Sequence, residues 1–319
     1  MSETASPLRR GRLLRIAAAF AVLLALIGYV VVQYVTGGGA PRCTVRTAPG
    51  GGGGPTYELS AEQAANAATI SAVGTAHGMP ERAVTIALAT ALQESGLRNI
   101  EHGDRDSLGL FQQRPSKGWG TTTQIRDPVY SSGKFYEHLA EVPGYSRLPL
   151  TMAAQRVQRS GFPQAYAKHE PEATLLSAAL TGRAGGALTC ESRTSEAAGN
   201  PAKFRRELVR AFGPDVLPKA GTALRAGTSL RAGAPAAREM SVPVPSTVGT
   251  DGGGAAQRGW ELAHWAVARA DGLRIEEVSY EGRVWRAAEP EKGWRASGAA
   301  KTRSAGLSGA GDVRIRLAR

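Results

Sequence analysis

Apolar positions recur at helical spacing through most of the first two thirds of the chain. Ser60 and Gln63 form a capping box at the head of the stretch 61–76, and Gly78 closes it. Pro80 then suits the first position of a second helix. There Ala83, Val84, Ile86, Ala87, Leu88, Ala91 and Leu92 repeat at i, i+3 and i+4, and Gly96 is a natural stop. The stretches 127–139, 151–160 and 171–180 predict further helices, and no long β-alternation interrupts them. The last 60 or so residues differ. Residues 260–270 form an amphipathic helix pattern, 278–281 and 283–287 predict a hairpin turning at Glu281-Gly282, and 313–317 alternates as a strand. Trp260, Trp265, Trp285 and Trp294 are expected to build the core of this small α+β module, with a sugar-stacking platform as the other reading.

One apolar run stands apart. Residues 16–35 contain no charge and are long enough for a bilayer core of about 30 Å. Arg9, Arg10, Arg12 and Arg15 precede it, which places the N-terminus in the cytoplasm and the bulk of the chain outside. The expectation is a single-pass, uncleaved anchor in the cell membrane. A cleaved signal peptide is the alternative, but its apolar region would be shorter and the cleavage site here is poor. An outside location permits a disulfide. Cys43 and Cys190 are the only cysteines, so they pair with each other, remain free thiols or link two chains.

Composition adds linkers and charge. Gly and Pro together make 58 of 319 residues, and aromatics only 6%. Residues 50–54 are five glycines, and 214–255 is rich in Ala, Gly and Pro. The reading is therefore a basic flank (1–15), a membrane helix (16–35), a Gly-rich tether (36–55), a helical domain (56–213), a linker (214–255) and the α+β module (256–319). The net charge is +12, yet residues 56–190 carry 12 basic and 12 acidic side chains. The excess lies in the flank, the linker and the C-terminal part. Such a surface suits anionic wall polymers or lipid head groups, or serves solubility alone. No aromatic-basic motif points to nucleic acid. Two cysteines and five scattered histidines with no i, i+4 pair exclude zinc fingers and an HExxH site, and no metal ligand set is expected.

The chemistry concentrates in 91–121. Glu94 ends a helix whose preceding face is almost wholly apolar. The negative end of the helix dipole and desolvation both disfavour its charged form, as a general acid requires. A solvated Glu at a helix end is the ordinary alternative. The neighbours favour chemistry. Glu94-Ser95 at a helix end, followed by the stretch 107–113 reading SLGLFQQ, resembles the lysozyme-like lytic transglycosylase family. Gly109, Leu110, Phe111 and Gln112 match its Gly-Leu-hydrophobe-Gln motif, and the resemblance covers about 56–190.

The resemblance implies a mostly α, lysozyme-like helical domain, here following a single N-terminal transmembrane helix and followed by a small C-terminal α+β module. It implies a membrane-anchored muramidase that cuts peptidoglycan glycan strands without metal or cofactor. Glu94 would be the acid/base, Ser95 would orient it, and Gln112 and Gln113 would bind substrate. The family's Ala-Tyr-Asn-Ala-Gly motif has its counterpart in 157–161, with Gln158 where the tyrosine belongs. Tyr166 either takes over that role or simply packs. Asp104 and Asp106 are the candidate second carboxylates, which would permit hydrolysis in place of an anhydro product. A degenerate wall-binding module, acting as a scaffold in an envelope assembly, is the non-enzymatic alternative.

Overall fold

The computed structural model describes residues 16–29, 41–47, 54–193, 197–217, 238–244, 254–297 and 311–319. The chain divides into two compact units, Met1–Ala40 and Pro41–Arg319. In the first, residues 16–29 form a helix, α1, with Phe20, Leu24 and Tyr29 exposed.

The second unit opens with two strands, β1 (Arg42–Arg46) and β2 (Thr56–Ser60), that pair antiparallel. Ser60 then caps α2 (Ala61–Ala76). Its hydroxyl accepts from the Gln63 amide, and the Gln63 side chain accepts from the Ser60 amide. The next helix, α3 (Glu81–Ser95), is buried from Ala83 to Leu92 on every face, because α2, α5 and α7 surround it. A short α4 (Thr122–Ile125) leads into α5 (Pro128–Ala140), which Asp127 caps. Then follow α6 (Leu150–Gln158), a 3-10 segment Pro163–His169 and α7 (Glu170–Leu180). The strand β3 (Leu188–Cys190) returns beside β1, giving the sheet order β2-β1-β3. Cys43 and Cys190 face each other in that register and form the disulfide.

After α8 (Pro201–Phe212), the strand β4 (Glu239–Val242) precedes α9 (Ala255–Ala268) and a short α10 (Ala270–Leu273). The remaining strands are β5 (Ile275–Tyr280), β6 (Arg283–Arg286), β7 (Arg295–Ala296) and β8 (Val313–Leu317). They form a second antiparallel sheet in the order β4-β8-β5-β6-β7. One face of that sheet packs on α9, and α9 in turn packs on α2, α7 and β3. The C-terminal module thus shares a continuous core with the helical body. Trp265 meets Phe204 and Phe212 edge-on. The Trp285 indole donates to the Thr189 hydroxyl, and Trp294 donates to the Leu188 carbonyl. Gly182 is required at this junction: a Cβ there would come within 1.9 Å of the Gln257 carbonyl oxygen.

Three expectations need correction. No helix among the described residues is long and apolar enough to cross a membrane. Residues 30–35 of the apolar run lie outside the described residues. The transmembrane helix is therefore withdrawn from the fold. Second, the body is not helices alone: β1, within the stretch read as a tether, joins β2 and β3 in a small sheet. Third, β4 lies within the stretch read as a linker, with Val242 and Val244 buried. Strands of three to five residues carry little periodic signal, and their ladder partners are remote in sequence. Residues 1–15, 36–40 and most of the 214–255 stretch lie outside the described residues.

Candidate functional site

The buried helix α3 delivers Glu94 to the surface of the body. Its apolar length is enclosed, so the side chains change character only at the last turn, where Gln93, Glu94 and Ser95 are half-buried. Gly96 ends the helix in the left-handed conformation, and the Leu97 amide returns to the Ala91 carbonyl. The carbonyls exposed by this stop are bound from α2: Gln63 donates to Gly96 and Asn66 to Leu97, both at 2.8 Å. The end of α3 is therefore clamped, and Glu94 sits on a rigid base.

One side chain bonds it directly. The Tyr166 hydroxyl donates to Glu94 Oε1 at 2.6 Å. Tyr166 is fully buried, and burial, with the carboxylate beside it, pushes the phenol well above its ordinary pKa. It thus stays a donor. Glu94 Oε2 has no partner among the described residues. Ser95 donates to the Leu110 carbonyl at 2.8 Å and so ties the helix end to the loop that follows.

That loop is a tight reversal. Leu108 and Gln113 exchange backbone hydrogen bonds at 2.9 and 3.0 Å. Gly109 has φ +73°, and a Cβ there would lie 2.8 Å from the Ile125 carbonyl oxygen, so only glycine fits. Leu110 and Phe111 are fully buried, with Phe111 stacked on Phe135 at 4.7 Å. Gln112 adopts φ +48°, an uncommon conformation for a side-chain-bearing residue. Its amide is held within the loop, accepting from Ser107 at 3.1 Å and donating to the Gly109 carbonyl at 3.3 Å.

The other expected residues divide. Gln158 is half-buried and donates to the Phe111 carbonyl at 2.7 Å, so it braces the loop and does not touch Glu94. Gln113 is buried and donates to the Ser131 carbonyl at 2.9 Å; it faces the core, where a substrate does not reach. Asp106 accepts from Arg114 at 2.6 Å and from the Ser116 amide at 2.9 Å. Those bonds hold its carboxyl well below the usual range. Asp104 is almost fully exposed beside Arg105. Neither aspartate is paired with Glu94.

Sequence reading missed His169 and Gln93. His169 Nε2 lies 3.2 Å from Gln93 Oε1. Burial and the neighbouring Lys168 lower the pKa of this ring. In the 3-10 segment, residues three apart share a face, so Tyr166 and His169 reach two consecutive residues at the end of α3. The spacing Tyr166-x-x-His169 after Pro163 was the available signal.

Cavities of about 300 and 430 Å³ lie on the C-terminal module, the first lined by Arg193, Arg274, Arg286 and Arg316. Neither includes Glu94. Among the described residues no group of three or more His, Cys, Asp or Glu could hold a metal ion.

A family model described as VldE, C-terminal domain, matches residues 234–305. The match covers the end of the linker stretch and most of the C-terminal module, stopping before β8, and leaves the Glu94 site untouched. No curated protein matches the chain.

Proposed function

We propose that this chain cleaves peptidoglycan glycan strands as a lytic transglycosylase, with Glu94 as the single acid/base. The observation that carries the reading is the Glu94–Tyr166 pair, in which one carboxyl oxygen is held at 2.6 Å and the other has no partner among the described residues. A positioned carboxyl with one oxygen free can give a proton to a substrate and take one back.

In the first step protonated Glu94 donates to the oxygen linking N-acetylmuramic acid to N-acetylglucosamine. The C1–O bond breaks as the 2-acetamido oxygen of the muramyl sugar attacks C1. In the second step the Glu94 carboxylate accepts the proton of the muramyl 6-hydroxyl. The 6-oxygen attacks C1, the acetamido group leaves, and a 1,6-anhydro ring closes with Glu94 again protonated. Tyr166 holds Oε1 through both steps, so only Oε2 exchanges the proton. Ser95 holds the Gly109–Gln112 loop against the helix end. Substrate-assisted chemistry suits a site where Asp106 is committed to Arg114 and Asp104 stands in solvent. The disulfide supports an oxidising compartment, which is also where this polymer is found.

The test uses the full chain on purified sacculi, with mass spectrometry of the released fragments. Wild type should give anhydro-muropeptides, and Glu94→Gln should give none while keeping its melting temperature. Reducing-end products would mean hydrolysis. Binding without turnover by wild type would mark a wall-binding module instead.

A further inference from the structure

Phe162 departs from the rule that the other phenylalanines of the second unit follow. Phe111, Phe135, Phe204 and Phe212 are buried there, whereas Phe162 is 80% exposed. Its backbone is nonetheless held. The Phe162 amide donates to the Ser160 hydroxyl at 3.1 Å, and its carbonyl accepts from the Ala165 amide at 3.1 Å. The Ser160 carbonyl accepts from Gln155 at 2.8 Å. The segment is anchored on both sides of the ring, by Gln158 to the Phe111 carbonyl and by Tyr166 to Glu94. The Ser160 hydroxyl also interacts with the Tyr166 phenol. Phe162 therefore stands on a fixed ledge four residues before Tyr166, the side chain that bonds the Glu94 carboxyl.

We propose that Phe162 is a stacking platform for a pyranose ring of the glycan strand, next to the pair of sugars whose linkage Glu94 cuts. This rests on the glycan-cleaving reading of the site. The apolar C–H face of a pyranose packs on an aromatic face, while its hydroxyls need polar company at the edge. The surroundings of Phe162 supply both. Arg159, Gln164 and Lys168, within six residues of it along the chain, are exposed, and a single aromatic among polar residues is not the contiguous apolar patch that docks a protein. A Cβ on the adjacent Gly161 would meet nothing within 4 Å, so the space beside the ledge is open. The platform makes the site depend on chain length, because a short fragment occupies the cutting position without reaching Phe162.

The experiment measures calorimetric binding of short and long chito-oligosaccharides to full-length Glu94→Gln protein, with and without Phe162→Ala. The parent should bind long oligomers more tightly than short ones. Phe162→Ala should weaken the long ones about three- to tenfold, leave the short ones unchanged and keep the melting temperature. Phe162→Trp should restore the preference. With Glu94 intact, Phe162→Ala should raise KM on sacculi and leave kcat alone. Equal affinity of the parent and Phe162→Ala variants for long oligomers overturns the platform and spares the enzymatic reading. A parent that binds no oligomer, with wild type that cuts no sacculi, overturns both.

Discussion

Glu261 and Glu94 each accept a hydrogen bond from a hydroxyl, and they have opposite fates. Glu261, in the middle of α9, accepts from Thr75 on one oxygen and from Arg258 on the other, at 2.6 Å for the latter. It is buried, and burial pushes its pKa up against the pull of Arg258 and Thr75. Glu94 accepts from Tyr166 on one oxygen only and is half-buried. The first group is saturated by its own chain and locks the C-terminal module onto α2. The second keeps one oxygen for something else. Burial and a hydrogen bond do not by themselves mark chemistry.

His264 belongs with Glu261. Its Nε2 accepts from the Gly186 amide at 3.0 Å, so Nδ1 carries the hydrogen and donates to the Ala179 carbonyl at 2.6 Å. The ring must stay neutral, and burial lowers its pKa from 6.5 to about 4.

The largest test of this contrast is Glu94→Gln. It should cut turnover by about 10²–10⁴, the usual worth of a general acid or base, with no loss of melting temperature. A variant of equal activity would place Glu94 in the same class as Glu261. Removing the disulfide by Cys43→Ser should cost about 2–5 kcal/mol in denaturant unfolding, because a long loop is no longer closed in the unfolded chain.

His264 predicts the pH dependence of the saturated region. The unfolded ring takes its proton near pH 6.5 and the folded one only near 4. Its contribution is thus full above 6.5 and is lost as the pH falls towards 4, about 3 kcal/mol in all. His264→Asn should be less stable at neutral pH and flatter across that window in thermal melts. Tyr166→Phe should lower kcat about 10- to 100-fold with KM held and should displace the pH profile of kcat, since its hydroxyl acts through Glu94. Asp106→Asn should be the mildest. It removes the charge from a solvent-screened pair with Arg114 and should leave the anhydro product unchanged.

Much of the site was legible in the chain. The helix ending in Glu94, its stop at Gly96 and the capping box at Ser60 all depend on residues within a few positions of each other. The hairpin at Glu281-Gly282 is of the same kind, with both residues at positive φ. Gln113 misled because its place next to Gln112 hides an inward orientation that the turn imposes. Tyr166 stayed ambiguous because its partner is 72 residues away.

The sequence by itself determined the local geometry: which stretches are helical, where they stop, and that a carboxyl stands at the end of an apolar helix. Periodicity, caps and glycines act over one or two turns, so they are readable without a partner. Only the tertiary structure decided that Tyr166 takes Glu94 Oε1 and that Asp106 is withdrawn to Arg114. It also decided that the module containing α9 is welded to the body through Glu261 and His264. Apart from the Asp106–Arg114 pair, eight residues apart, those outcomes are settled by which groups find each other across long sequence separations, and burial then makes each pairing costly to undo.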